Sequence, residues 1–200
     1  MATRLVAATG NAGKLAELSA VLGPAGIEVV AQSAVGVADA EETASTFIEN
    51  ALIKARHAAR GTGLPALADD SGLIVDALGG EPGLHSARYA GRHGDHAANI
   101  ARVLERLDGV VPARRSARFY CVLVVLRHPD DPQPLVAEGH WDGRILPAPA
   151  GAGGFGYDPV FQPAGLSVSA AQLSPGEKNR ISHRARALDA LLQRLRAQPL

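Results

Sequence analysis

The chain has 200 residues, 46% of them hydrophobic, enough to bury one large core or two closely joined lobes. Lys plus Arg and Asp plus Glu each total 20, so no overall field draws the molecule to a polynucleotide or an anionic membrane, and any anion site is local. The single cysteine, Cys121, lies in an apolar run, which excludes an intrachain disulfide; with no apolar stretch of signal or membrane-spanning length, the expectation is a cytoplasmic protein.

In chain order, Arg4 to Ala8 reads as a short buried strand, Thr9 to Gly13 as a loop, and Ala12 to Leu22 as a helix ended by Gly23-Pro24. Ile27 to Ala31 is a second strand, and Val35 to Thr43 a small acidic loop carrying Glu41 and Glu42. Thr46-x-x-Glu49 has the form of a capping box opening a helix to about Ala59, with Gly61 and Gly63 stopping it. Pro65 to Asp69 and Leu73 to Val75 read as two short strands interrupted by Asp70-Ser71-Gly72. After a loop at Gly79 to Gly83, Asp95 to Leu107 reads as a helix. Ala117 to Leu126 and Leu135 to Trp141 form an antiparallel pair around a proline-rich break, which with the earlier strands predicts a mixed sheet. Gly143 and then Gly151, Gly153, Gly154 and Gly156 mark an irregular loop longer than a connection needs, a hallmark of functional loops. Ser174-Pro175-Gly176-Glu177 opens a final helix whose buried stripe is Ile181, Ala185, Leu188, Leu192 and Leu195.

Several motifs carry chemistry, each with a plainer alternative. Thr9-Gly10-Asn11-Ala12-Gly13-Lys14 is not a Walker A loop, since Ala8 stands where the first glycine belongs and Leu15 where a Ser or Thr would bind Mg²⁺. It keeps the elements of an anion site: glycines, a helix N-terminus and a lysine. The alternative is an ordinary strand-to-helix turn. Asp69 and Asp70 point to opposite sides of an extended chain, so one can face a cleft while the other is structural. With Glu41 and Glu42 they offer the hard oxygens Mg²⁺ prefers, or they are simply solvated. Phe155 and Tyr157, in Gly153-Gly154-Phe155-Gly156-Tyr157-Asp158-Pro159, can stack on a base or anchor the loop in the core.

Lys178, His183 and Arg184 near the start of the last helix can meet a phosphate and a base carbonyl, or form a solvated basic face. Seventeen of the 20 basic residues are arginine, and the only lysines are Lys14, Lys54 and Lys178. Each lies in or beside a motif. A compact ammonium suits a phosphate site better than a planar fork.

Together these residues resemble the inosine triphosphate pyrophosphatase family, in its bacterial dITP/XTP pyrophosphatase branch, over essentially the whole chain. The resemblance rests on the order and spacing of Thr9 to Lys14, Glu41-Glu42-Thr43, Phe47-Ile48-Glu49-Asn50-Ala51, Ala68-Asp69-Asp70-Ser71-Gly72-Leu73, Pro82-Gly83 with Ser86-Ala87-Arg88, Gly154 to Pro159, and Ser182-His183-Arg184. It implies an α/β fold, elongated and mixed-sheet, one pyrophosphatase domain over 1–200 with two lobes around a central nucleotide cleft. It further implies a homodimer, Mg²⁺ dependence, and cleavage of ITP, dITP and XTP between the α- and β-phosphates, which clears damaged purines from the nucleotide pool.

Carried onto this sequence, the resemblance makes Thr9, Gly10, Asn11, Ala12, Gly13 and Lys14 phosphate holders, and Asp70 the proton acceptor and a metal ligand. Ser71 touches substrate, and Glu42 or its neighbour Glu41 completes the metal site. Lys54 joins the charge-neutralising lysines. Phe155, Gly156, Tyr157, Asp158, Lys178, His183 and Arg184 enclose the nucleotide, with His183 and Arg184 as donors to the 6-carbonyl that hypoxanthine and xanthine carry and adenine lacks. Two competitors remain: a module that senses purine triphosphates without cutting them, and a pyrophosphatase of the septum-formation-inhibitor type acting on pyrimidine or standard nucleotides.

Overall fold

The computed structural model describes residues 3–200; Met1 and Ala2, the start of the stretch considered for a leader, lie outside them. A six-stranded sheet runs in the order β2-β1-β3-β4-β5-β6, built from Thr3–Ala7 (β1), Ile27–Ala31 (β2), Ala66–Val75 (β3), Ser116–Leu126 (β4), Leu135–Ile145 (β5) and Phe161–Pro163 (β6). β1 is parallel to β2, with Leu5 opposite Val29, and to β3, with Val6 opposite Ala66; β6 is antiparallel to β5, with Phe161 opposite Ile145. The sheet is therefore mixed, as the alternation of helix and hairpin signals predicts. No helix among the described residues is long and apolar enough to cross a membrane.

The chain divides into two compact units. Among the described residues the first comprises 3–70, 121–139 and 186–200; the second comprises 71–120 and 140–185. In the first, Leu5, Ala7, Leu67, Cys121, Leu123 and Val125 from the strands bury against Leu18 and Leu22 of helix α1 (Ala12–Leu22) and Leu188 and Leu191 of α5 (His183–Ala197). In the second, Leu73, Val75, Phe119, Trp141 and Phe161 bury against Ile100, Val103 and Leu107, from α3 (His96–Arg106) and the residue that ends it. Trp141 is thus a core residue. The thiol of Cys121 is fully buried, the default for a small apolar side chain.

Four details depart from the sequence-based expectation. β3 is one continuous strand through Asp70-Ser71-Gly72, because its ladder to neighbouring strands overrides the turn preference of those residues. Helix α2 (Phe47–Thr62) passes through Gly61 and ends only at Gly63, where a left-handed cap with φ of 67° suits glycine. The final helix is two: α4 (Pro175–Ile181) stops at Ser182, whose extended backbone breaks the helix and whose Oγ accepts the Ala185 N–H as α5 begins. The three-residue β6 has no sequence signal of its own.

Candidate active site

Two carboxylates of the first unit converge on one ammonium. Lys54, from the middle of α2, donates from Nζ to Glu42 Oε1 at 2.8 Å, to Asp70 Oδ1 at 2.8 Å and to the Asp69 carbonyl at 3.0 Å, which uses all three of its N–H bonds. Thr46 caps α2 at Phe47, its Oγ1 accepting the Glu49 N–H at 3.3 Å and donating to Glu49 Oε2 at 2.7 Å, so Glu49 closes on the hydroxyl rather than on the backbone N–H of a capping box; the cap sets the register that brings Lys54 here. The buried Asn50 on the same helix accepts the Ala44 N–H at 3.0 Å and pins the acidic loop carrying Glu42. His57 adds a second tie by donating to the Ala38 carbonyl at 3.0 Å.

The charges at this cluster reflect the sharing. Burial raises the Asp70 carboxyl above its usual range, and Lys54, divided between two anions, offsets only part of that effect. Burial works against the Lys54 charge, but Asp70 and Glu42 outweigh it, so the ammonium is held above the ordinary lysine value. Glu42 and Asp70 fit a magnesium ion by donor chemistry, since Mg²⁺ is bound through one or two carboxylates with waters and substrate phosphate making up the rest. Among the described residues no three His, Cys, Asp or Glu side chains form a complete metal cage. Glu41 is exposed, while Glu42 reaches Lys54.

The glycine-rich turn lies at the start of α1, also in the first unit. Asn11 is its N-cap, accepting the Lys14 N–H at 3.1 Å, and Thr9 Oγ1 accepts the Asn11 N–H at 3.2 Å. The turn is therefore held by its own side chains at the N-terminus of α1, where the helix end carries positive potential. A Cβ at Gly10 would meet Asp39 Oδ2 at 3.4 Å, so this glycine lets the acidic loop approach. Lys14 Nζ sits 2.5 Å from Asp69 Oδ1.

The second unit holds the remaining candidates. Asp158 Oδ2 accepts from Lys178 Nζ at 2.6 Å and from the Phe155 N–H at 2.9 Å, and Lys178 Nζ lies 4.5 Å from the centre of the half-buried Phe155 ring. The guanidinium of Arg184 lies 5.8 Å from the same ring. Arg184 Nη2 donates to Ser71 Oγ at 3.1 Å, and His183 stacks on Phe119 at 4.8 Å between centroids. Tyr157 is buried and donates to the Ser86 carbonyl at 2.8 Å, so it anchors the loop, while the Phe155 ring stays half-buried. Ser86 Oγ accepts the Leu73 N–H and donates to the Gly83 carbonyl, which explains the Pro82-Gly83 and Ser86 motif as the brace beneath that anchor.

A profile described as the Ham1 family matches residues 5–194. The chain belongs to the Ham1 family. Among Ham1 relatives, dITP/XTP pyrophosphatase of Xanthomonas campestris is 60% identical over 98% of both chains, and dITP/XTP pyrophosphatase of Methylococcus capsulatus is 57% identical over the same shares. A solved Ham1 protein of Coxiella burnetii superposes with a TM-score of 0.90 at 48% identity, covering 98% of this chain and 99% of its own. A Mycobacterium abscessus structure named nucleoside-triphosphatase and dITP/XTP pyrophosphatase gives 0.77 at 48% identity, covering 95% and 99%.

In this Ham1 chain, then, the structure gathers Glu42, Lys54 and Asp70 in one cluster, and Thr9 to Lys14 in one capped turn. It gathers Phe155, Asp158, Lys178 and Arg184 in another cluster, with Arg184 tied to Ser71. Asp69 was readable only as the other carboxylate of a pair. Its bond to Lys14 spans 55 positions of sequence, and no local pattern reveals such a contact.

Proposed function

We propose that this chain hydrolyses damaged purine nucleoside triphosphates, ITP, dITP and XTP, to the monophosphate and pyrophosphate, in the cytoplasm and as a homodimer. The observation that carries the reading is the Lys54 ammonium shared by Glu42 and Asp70, since paired carboxylates beside a phosphate-binding turn suit a triphosphate only when a cation joins them. Relatives near 60% identity carry the name dITP/XTP pyrophosphatase, which supports dITP and XTP among these substrates.

Glu42 and Asp70 would hold Mg²⁺, which would supply charge neutralisation for the triphosphate. Lys14 and the first-turn amides of α1 bind phosphate, and Lys54 and Lys178 neutralise charge growing on the leaving group. Asp70 takes a proton from a water whose oxygen bonds to the α-phosphorus as the bond to the bridging oxygen breaks and pyrophosphate departs. Phe155 stacks on the base, and His183 and Arg184 donate toward its 6-carbonyl. Adenine would leave those donors without an acceptor, a loss of roughly 1–3 kcal/mol per buried donor.

The test is pyrophosphate release from dITP, XTP, dGTP, dATP and dUTP, each with Mg²⁺ and with EDTA. Metal-dependent release from dITP and XTP far above the rest is expected. Binding without release makes the protein a sensor, and preference for dUTP makes it a pyrimidine pyrophosphatase.

A further inference from the structure

The proposed mechanism leaves Asp69 without a part, although it is a fully buried carboxylate next to the proposed base. Its side chain has 0% exposure, so none of its surface is open to solvent. Both its oxygens are engaged: Oδ1 lies 2.5 Å from Lys14 Nζ, and Oδ2 accepts from the Cys121 thiol at 3.3 Å. Lys14, in contrast, keeps 15% exposure and stands in the first turn of α1, where its ammonium can meet an anion.

We propose that Asp69 is the positioning residue of the phosphate-binding turn, fixing the Lys14 ammonium where substrate phosphate arrives, with the Cys121 thiol locking the carboxylate's rotation. The proposal rests on the reading of residues 9 to 14 as a phosphate turn. A long lysine side chain at a helix terminus samples many rotamers, and pairing with a buried carboxylate removes that freedom before substrate binds. The pairing is enforced from the other side too, because a buried aspartate deprived of its ammonium is strongly unfavourable. Asp69 therefore acts on the phosphate turn through Lys14.

A double-mutant cycle in kcat/KM for dITP tests this. Lys14→Met and Asp69→Asn are each expected to lower kcat/KM by about 10- to 100-fold, the scale of a charge-assisted hydrogen bond. The double variant should lose no more than Lys14→Met alone, since Asp69 has nothing left to position. Losses that multiply would overturn the proposal, because general damage to the strand is additive with loss of the lysine. Unchanged kcat/KM in Lys14→Met would overturn the phosphate-turn reading itself and the proposal with it, while unchanged kcat/KM in Asp69→Asn alone would overturn only the proposal. Circular dichroism checks folding. Should Asp69→Asn not fold, Asp69→Glu, which keeps the charge but displaces the carboxylate by a methylene, enters the cycle under the same criterion.

Discussion

Asp69 and Asp70 are consecutive on β3 yet answer to lysines from different helices, Asp69 to Lys14 of α1 at 2.5 Å and Asp70 to Lys54 of α2 at 2.8 Å. The cause is strand alternation, which sends neighbouring side chains to opposite faces. One dipeptide thereby ties both N-terminal helices to the same strand and gives each carboxylate its own role.

Asp70→Asn removes the proposed proton acceptor while keeping shape and most hydrogen bonding. Turnover of dITP should fall by roughly 100- to 10,000-fold, the usual range for a general base, with nucleotide affinity changed only a few-fold. Steady-state kinetics and equilibrium titration separate the two quantities. Near-normal turnover would rule out the assigned role.

Lys54→Met strands Glu42 and Asp70 beside one another without their cation. Stability should drop by about 1–3 kcal/mol, the cost of leaving buried polar groups unmatched. The specific expectation is a rescue: millimolar Mn²⁺ should raise the Tm of Lys54→Met more than that of the unmodified protein, because the ion replaces the lost positive charge. Equal shifts would show that the two acids do not share an ion.

A different carboxylate is expected to contribute to acid stability. Asp131, in the turn between β4 and β5, accepts from Arg127 Nε at 2.8 Å, from Arg127 Nη2 at 3.1 Å and from the backbone N–H groups of Arg127 and Gln133. The Arg127 guanidinium holds its carboxyl far below the usual range. A depressed folded-state value gives stability that is present above the unfolded value, about 3.9, and is lost as pH falls below it. Asp131→Asn should cost about 1–3 kcal/mol at pH 7 and flatten the loss between about pH 4 and 2. Urea melts across that range measure both, and parallel pH profiles would contradict the assignment.

The legible part of this molecule is what local chemistry specifies. Thr46 and Ser174 cap helices where the sequence puts them, and α1 starts at Ala12 as expected, because a helix start is decided within four residues. Asp70-Ser71-Gly72 misleads, since three turn-forming residues are carried through a strand by neighbours distant in sequence. The last helix misleads in the opposite way. Its apolar period runs on through Ser182, and the only sign of the break is a serine suited to capping α5. At the site, residue types identify the candidates, but the division of labour between Glu41 and Glu42, or between Phe155 and Tyr157, depends on contacts that appear only after folding.

Gly154→Ala tests whether the glycine loop is a shaped element or a slack one. Gly154 has φ of 70°, a left-handed conformation that costs a residue with a Cβ roughly 1–2 kcal/mol. The added Cβ would also overlap the Asp158 carboxylate. That carboxylate cannot yield freely, because Lys178 and the Phe155 N–H both hold it. The whole group must shift, taking the Phe155 ring and the Lys178 ammonium away from where the nucleotide is proposed to lie. The expected outcome is a KM for dITP raised about tenfold or more, with the Asp131 acid transition unmoved. An unaltered KM would mean that the loop adopts its working shape only after substrate binds, and that the Asp158 contacts do not prepare it.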